Sequence, residues 1–113
     1  KQIEKLKKDG KKGYAAAMES TLRLTELVDK LEKAPQNADK AAVEKELSEI
    51  EALLKSINND RGQVLADRYN SVVGDVRQVL ADPSDNNLNN MIEGFNGYID
   101  TYNSTTPDQF DAK

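Results

Sequence analysis

The chain has 113 residues, of which 37% are hydrophobic and 32% charged, with a formal net charge of −4. It contains no His and no Cys, which excludes nucleophile–His pairs, Cys or His zinc sites, iron–sulfur clusters, thiol redox chemistry and disulfides. The length suits one domain, no segment approaches the ~18–20 apolar residues of a spanning helix, and the acidic balance argues against a nucleic-acid partner.

Residues 1–13, KQIEKLKKDGKKG, form a basic lead-in, with Lys1, Lys5, Lys7, Lys8, Lys11 and Lys12 set against Glu4 and Asp9. Ile3 and Leu6 lie one turn apart, but Gly10 and Gly13 oppose a rigid helix, each costing about 1 kcal/mol relative to Ala. Asp9-Gly10 is a turn signal. The segment reads as a solvated lead-in, or as a tether to a membrane or another domain. Beside an anionic lipid surface its lysines would gain electrostatic attraction. Deleting residues 1–12 is then expected to leave the denaturation midpoint nearly unchanged. The chain starts at Lys1 rather than Met, as expected of a processed protein or an excised piece.

Over residues 14–33, Tyr14, Ala17, Met18, Leu24, Leu27, Val28 and Leu31 share the apolar face of a predicted helix. Glu19/Arg23 and Glu26/Lys30 have i,i+4 spacing for surface pairs. Pro35 stops this helix, because the residue before a proline is pushed out of the α region. Asn37 or Asp39 caps a second helix, on which Val43, Leu47, Ile50, Leu54 and Ile57 recur at gaps of four and three and so fall on one stripe. Asn58, Asn59 and Asp60 break the pattern, with Asp60 as the expected cap of a third helix over residues 61–81. That helix carries Val64, Leu65, Tyr69, Val72, Val73, Val76, Val79 and Leu80.

A fourth helix begins near Asn87 and carries Leu88, Met91, Ile92, Phe95, Tyr98, Ile99 and Tyr102. Residues 103–113 lose the periodicity and are expected to form a loose tail, with Phe110 its only large apolar side chain. Segments 14–33, 38–57 and 61–81 each span about 30 Å at ~1.5 Å per residue. Matched lengths and short loops predict an all-α fold, an antiparallel up-down-up-down four-helix bundle over residues 14–102.

Candidate chemistry is sparse. From Asp82 to Glu93, oxygen-bearing side chains at Asp82, Ser84, Asn86, Asn90 and Glu93 echo a calcium loop between helices. Asn87 stands where such a loop needs Gly, and Asn89 where it needs an apolar residue, so Ser84 or Asp85 as a helix cap is the favoured reading. Glu44, Glu46, Glu49 and Glu51 lie off the apolar stripe and read as a solvated surface; a di-iron bundle would need His. Tyr14, Tyr69, Phe95, Tyr98 and Tyr102 have helical spacing and read as core in the first place, with a ligand pocket between helices as the alternative. Asn103-Ser104-Thr105 matches the glycosylation acceptor pattern.

LEKAPQNADKAAVEKEL, from Leu31 to Leu47, resembles the first helical turn-around of the small periplasmic b-type cytochromes, and NGYIDTY, from Asn96 to Tyr102, resembles the end of their last helix. That family folds as four-helix bundles and holds haem with a Met on the first helix and a His on the last. Met18 lies near the first position, and Ile99 stands where the His would be. The resemblance covers about a third of the chain and implies a haem-free periplasmic relative.

The expected function is therefore a non-enzymatic interaction or structural domain, tethered through its N-terminus and periplasmic or extracellular. Its partner is expected to be another protein, with membrane contact only through the tether. No catalytic, cofactor or metal residue is assigned. The alternative is a ligand-sensing bundle that binds a small molecule near Tyr69, Phe95 and Tyr98. The stripe makes a first prediction. Ile50→Ala or Leu54→Ala should cost about 2–5 kcal/mol in urea denaturation, and an unchanged midpoint would show that the stripe is not core.

Overall fold

Helix-forming residues dominate the chain, and each apolar stripe needs a cover of other helices. The computed structural model describes residues 2–8 and 10–111, and these are helical throughout apart from short connections, with no strand among them. Helix α1 spans Gln2–Lys8, α2 Lys12–Lys33, α3 Lys40–Lys55, α4 Asp60–Ala81 and α5 Asp85–Ser104. Two 3-10 turns cover Pro35–Asn37 and Pro107–Asp111.

The helix starts follow from local hydrogen bonding. The Asp39 carboxylate accepts from the amides of Ala41 and Ala42 at 3.0 and 3.4 Å and so caps α3. Ser84 Oγ accepts from the Asn87 amide at 3.2 Å and caps α5. At α4 the cap is Asn59, not Asp60: the Asn59 side-chain oxygen accepts from the Gly62 amide at 3.0 Å, and Asp60 becomes the first helical residue.

The core runs along all four long helices. Val43, Leu47, Ile50, Leu54 and Ile57 are each at most 7% exposed, so the predicted stripe is core. Opposite it lie Leu24, Val28 and Leu31 of α2, Leu65, Tyr69, Val72, Val76 and Val79 of α4, and Met91 and Tyr98 of α5. Helices α2 and α3, α3 and α4, α4 and α5, and α5 and α2 are in contact, whereas α3 and α5 do not meet. Helix α2 is the hub and touches every other element. Small residues make that possible. Ala15, Ala17 and Ser20 are fully buried, and the Ser20 and Thr21 hydroxyls turn inward onto the carbonyls of Ala16 and Ala17, each at 2.7 Å.

Two expectations are corrected here. The lead-in is not loose. α1 is helical, packs against α2, and half-buries Ile3, while Lys7 pairs with Glu19 at 3.6 Å. Gly10, at φ +83°, takes the left-handed turn that lets the chain reverse between α1 and α2; Asp9, the other half of the expected turn, and Lys1 lie outside the described residues. Because Lys12 opens α2 and α1 packs, deleting residues 1–12 should lower the denaturation midpoint rather than spare it.

The tail is not loose either. After α5, the 3-10 turn at Pro107–Asp111 folds across the end of the bundle as a strap. Phe110 is 2% exposed and lies between the rings of Tyr14 and Tyr102, with centroids 6.1 and 6.0 Å away. Asp111 then caps α2 from 98 residues away. Its carboxylate accepts from the amides of Gly13 at 2.6 Å and Tyr14 at 3.1 Å, whereas the local cap position, Lys11, offers no side-chain bond. The Asn59 amide nitrogen donates to the carbonyls of Gln109 and Phe110 at 3.1 and 3.0 Å, which ties the strap to the start of α4. Gly13 is there because the strap lies on it. A Cβ at that position would stand 2.1 Å from the Phe110 carbonyl oxygen.

Three substitutions test this closure. Phe110→Ala should cost about 3–5 kcal/mol and Asp111→Ala about 1 kcal/mol as a lost cap. Gly13→Ala, although it raises helix propensity, should destabilise by roughly 1–3 kcal/mol through overpacking. Urea midpoints equal to that of the parent would show that the strap does not hold the bundle end.

Candidate functional site

The aromatic residues weighed as a ligand box are wholly or partly buried in the packing of the fold. Tyr69 and Tyr98 are at most 1% exposed, and both hydroxyls are bonded inside the core. Tyr69 donates to the Leu47 carbonyl. Thr21 Oγ1 already donates to Ala17, so the 3.0 Å contact between Thr21 and Tyr98 is a bond in which the tyrosine donates. Burial pushes the Tyr98 hydroxyl up to about 12 and raises Tyr69 further. Tyr14 and Tyr102 clasp Phe110, and burial followed by the neighbouring Tyr14 raises Tyr102. Phe95 is half-buried. These side chains are packing groups, and neither groove described below is lined by any of them.

The stretch from Asp82 to Glu93 does not form a calcium loop. Helix α5 begins at Asp85, so Asn86, Asn90 and Glu93 are helical residues rather than loop ligands. Ser84 is engaged as the cap, and the Asn87 amide nitrogen donates to the Asp82 carbonyl at 2.8 Å. No group of three or more acidic side chains suited to a metal ion occurs among the described residues. Asn103 and Ser104 form the exposed last turn of α5.

The α3 glutamates are more than a solvated surface. Arg23 of α2 forms a two-pronged bond with Glu46, at 2.9 and 2.7 Å, and reaches Glu49 at 3.0 Å. Arg77 of α4 grips Glu44 at 3.2 and 3.0 Å. Helix α3 is thus clamped from both sides. Arg23 stands 3.9 Å from Glu19, its predicted i,i+4 partner, because the cross-helix carboxylates attract it more closely. The hydrogen bonds from Arg23 and Arg77 hold Glu46 and Glu44 below the usual carboxylate range. Asp75 behaves oppositely. It is half-buried over the α5 backbone at Gly94, and burial, then the neighbouring Glu93, raises its carboxyl.

Two open grooves lie on the surface of the described residues. One, of about 790 Å³, lies between the end of α2 and the start of α3, with Leu27, Leu31 and Val43 on its floor and Lys30 and Glu46 on its rim. Its arginine, Arg23, is already committed to Glu46 and Glu49. The other, of about 500 Å³, lies under the α3–α4 connection beside Ile57 and Asn59.

The N-terminal end is strongly basic. Lys5, Lys7, Lys8, Lys11 and Lys12 are all exposed. Of these five lysines, Lys7 alone has an ion-pair partner among the described residues, Glu19. Helix α2 has no acidic residue in its first turn, and a cation there opposes the helix dipole by about 0.3–1 kcal/mol. Residues 1–13 carry six Lys against two acids; since the chain as a whole is −4, the remaining residues total −8. The sequence shows this charge run but suggests a solvated or tethering segment; the fold instead sets Lys5, Lys7 and Lys8 on α1 and Lys12 at the start of α2.

Compared with known proteins, the chain matches no family model, no curated sequence and no solved structure.

The opposite shifts of Glu46 and Asp75 give a paired prediction. A carboxyl held low in the fold stabilises above its ordinary range and loses that contribution on acidification, so Glu46→Gln should lower the midpoint at pH 7, with the deficit closing below about pH 4. A carboxyl held high weakens the fold once ionised. Asp75→Asn should raise the midpoint at pH 7, and the gain should vanish as pH falls through about 4. Thermal melts across pH 3–7 would check both signs; parallel curves for variants and parent would contradict them.

Proposed function

We propose that the chain is a non-enzymatic interaction or structural domain. It is an antiparallel up-down-up-down four-helix bundle, held through its N-terminal end to a partner outside the bundle, in the periplasm or outside the cell. The topology is supported by what converges on the strap: the starts of α2 and α4, through Gly13 and Asn59, and the end of α5, through Tyr102. Connections as short as residues 56–59 and 82–84 also favour neighbouring helices of opposite direction. The resemblance of residues 31–47 to the small periplasmic cytochromes supports the compartment, with Ile99 in place of the haem-binding His.

The observation that carries the functional reading is the contrast between a closed interior and one bare charged end. No buried side-chain polar atom among the described residues lacks a partner, and the fully buried tyrosines are packing groups. The arginine bridges spend their charges holding α3. Lys5, Lys8, Lys11 and Lys12 form no ion pair with any of the described residues, although Lys11 and Lys12 crowd like charges together at the positive end of α2. Filled aromatic positions favour this reading over a small-molecule sensor at Tyr69, Phe95 and Tyr98.

Photo-crosslinking in the source cell tests the reading. A photoreactive side chain at Lys8 should give discrete adducts, and one at Lys40, at the start of α3, should give few. Equal labelling from both positions, or none from Lys8, would overturn it.

A further inference from the structure

We infer that the lysine-rich end formed by Lys5, Lys8, Lys11 and Lys12 seats the bundle end-on against an anionic lipid surface. This rests on reading the chain as an interaction domain and names the partner of that same end.

The charge distribution leads to this surface. The basic end is small, and the body behind it is strongly acidic, with residues 1–13 at +4 and the remainder at −8. A flat anionic surface can meet such a molecule at one end while the repelled body points away. A nucleic acid, being a long polyanion, would also run along the acidic flanks. The residue types agree. Residues 1–13 contain no Arg and no aromatic side chain, so they lack the bidentate fork and the stacking face by which phosphates and bases are usually recognised. Lysines act as point charges on flexible stems, which suits a fluid array of headgroups.

The fold keeps these charges presented. Packing of α1 on α2 and the Lys7–Glu19 pair set the lysines on a fixed helix pair. The acids nearby are partly occupied. Asp111 is engaged with the Gly13 and Tyr14 amides and Glu19 faces Lys7, while Glu4 of α1, Asp108 of the strap and Asp60 at the start of α4 are exposed. Local stability does not explain the lysines either, since no acidic side chain supports them in the first turn of α2.

The test uses the full chain and sedimentation with vesicles of phosphatidylcholine alone or mixed with phosphatidylserine. Binding should require the anionic lipid and should fall steeply between 50 and 500 mM salt, where the screening length shrinks from roughly 14 to 4 Å. Replacing Lys5, Lys8, Lys11 and Lys12 by Gln should weaken binding by about fivefold per lysine, several hundred-fold together. Replacing Lys30, Lys33, Lys40 and Lys45 by Gln, an equal change in net charge on other exposed positions, should weaken it less than about tenfold. Melting temperatures keep the result readable: Lys11→Glu should raise the melting temperature while reducing vesicle binding, so a loss of binding is not a loss of fold.

Absence of binding at low salt, an equal loss in the control set, or displacement from vesicles by a single-stranded oligonucleotide would each overturn the lipid assignment. If vesicles are not bound but Lys8 still gives discrete crosslinks, the lipid assignment fails while the interaction reading stands. If both fail, both readings fall.

Discussion

The seating of Phe110 and Asp111 on Gly13 is the contact on which the rest of the molecule depends. Helix α2 packs against every other element, yet its start has no local cap: Lys11 stands at the cap position and Lys12 opens the helix. The amides exposed at such a start need an acceptor. The chain supplies one from its far end, and the same segment inserts an aromatic ring that closes the bundle between Tyr14 and Tyr102. The bare backbone of Gly13 allows that approach. Contacts spanning 98 residues carry a loop-closure cost that must be met before they stabilise anything. The strap therefore couples the beginning of α2 to the completion of the whole chain.

Much of the architecture was legible because it is periodic. The stripe from Val43 to Leu54, the stop at Pro35, and the caps at Asp39 and Ser84, each one of two candidates the spacing offered, depend on relations within a few residues; Ile57 is buried as expected but lies past the end of α3, which stops at Lys55. What escaped was long-range. Glu46 sits one residue from the buried Leu47 and looks like any solvent-facing acid until α2 brings Arg23 alongside. Phe110 stands alone, so no period marks it. A weaker signal did exist: a Pro three residues before an isolated aromatic residue, followed by an acid, suits a docking turn better than a tail. Likewise Gly13, just before Tyr14 and three alanines, is out of character for a helix unless something rests on it.

Charge is divided by task. The arginines Arg23 and Arg77 serve as clamps, because a planar fork can hold two carboxylate oxygens across a helix interface. The lysines of the first dozen residues form almost no such bonds among the described residues. Helix α3 is held by charge as well as by its stripe, whereas the N-terminal end keeps charge that the fold does not use. That asymmetry is the physical basis for looking to the end of the bundle, rather than to its interior, for what the protein does.

Native-state hydrogen exchange tests the closure most directly. If the strap is part of one cooperative unit, the Gly13 and Tyr14 amides, bonded to Asp111, should be protected to within about tenfold of the core amides between Leu24 and Val28. If they exchange at the rate of a fraying helix end while the core amides stay protected, the bundle does not depend on its last turn, and the account given for α2 is wrong.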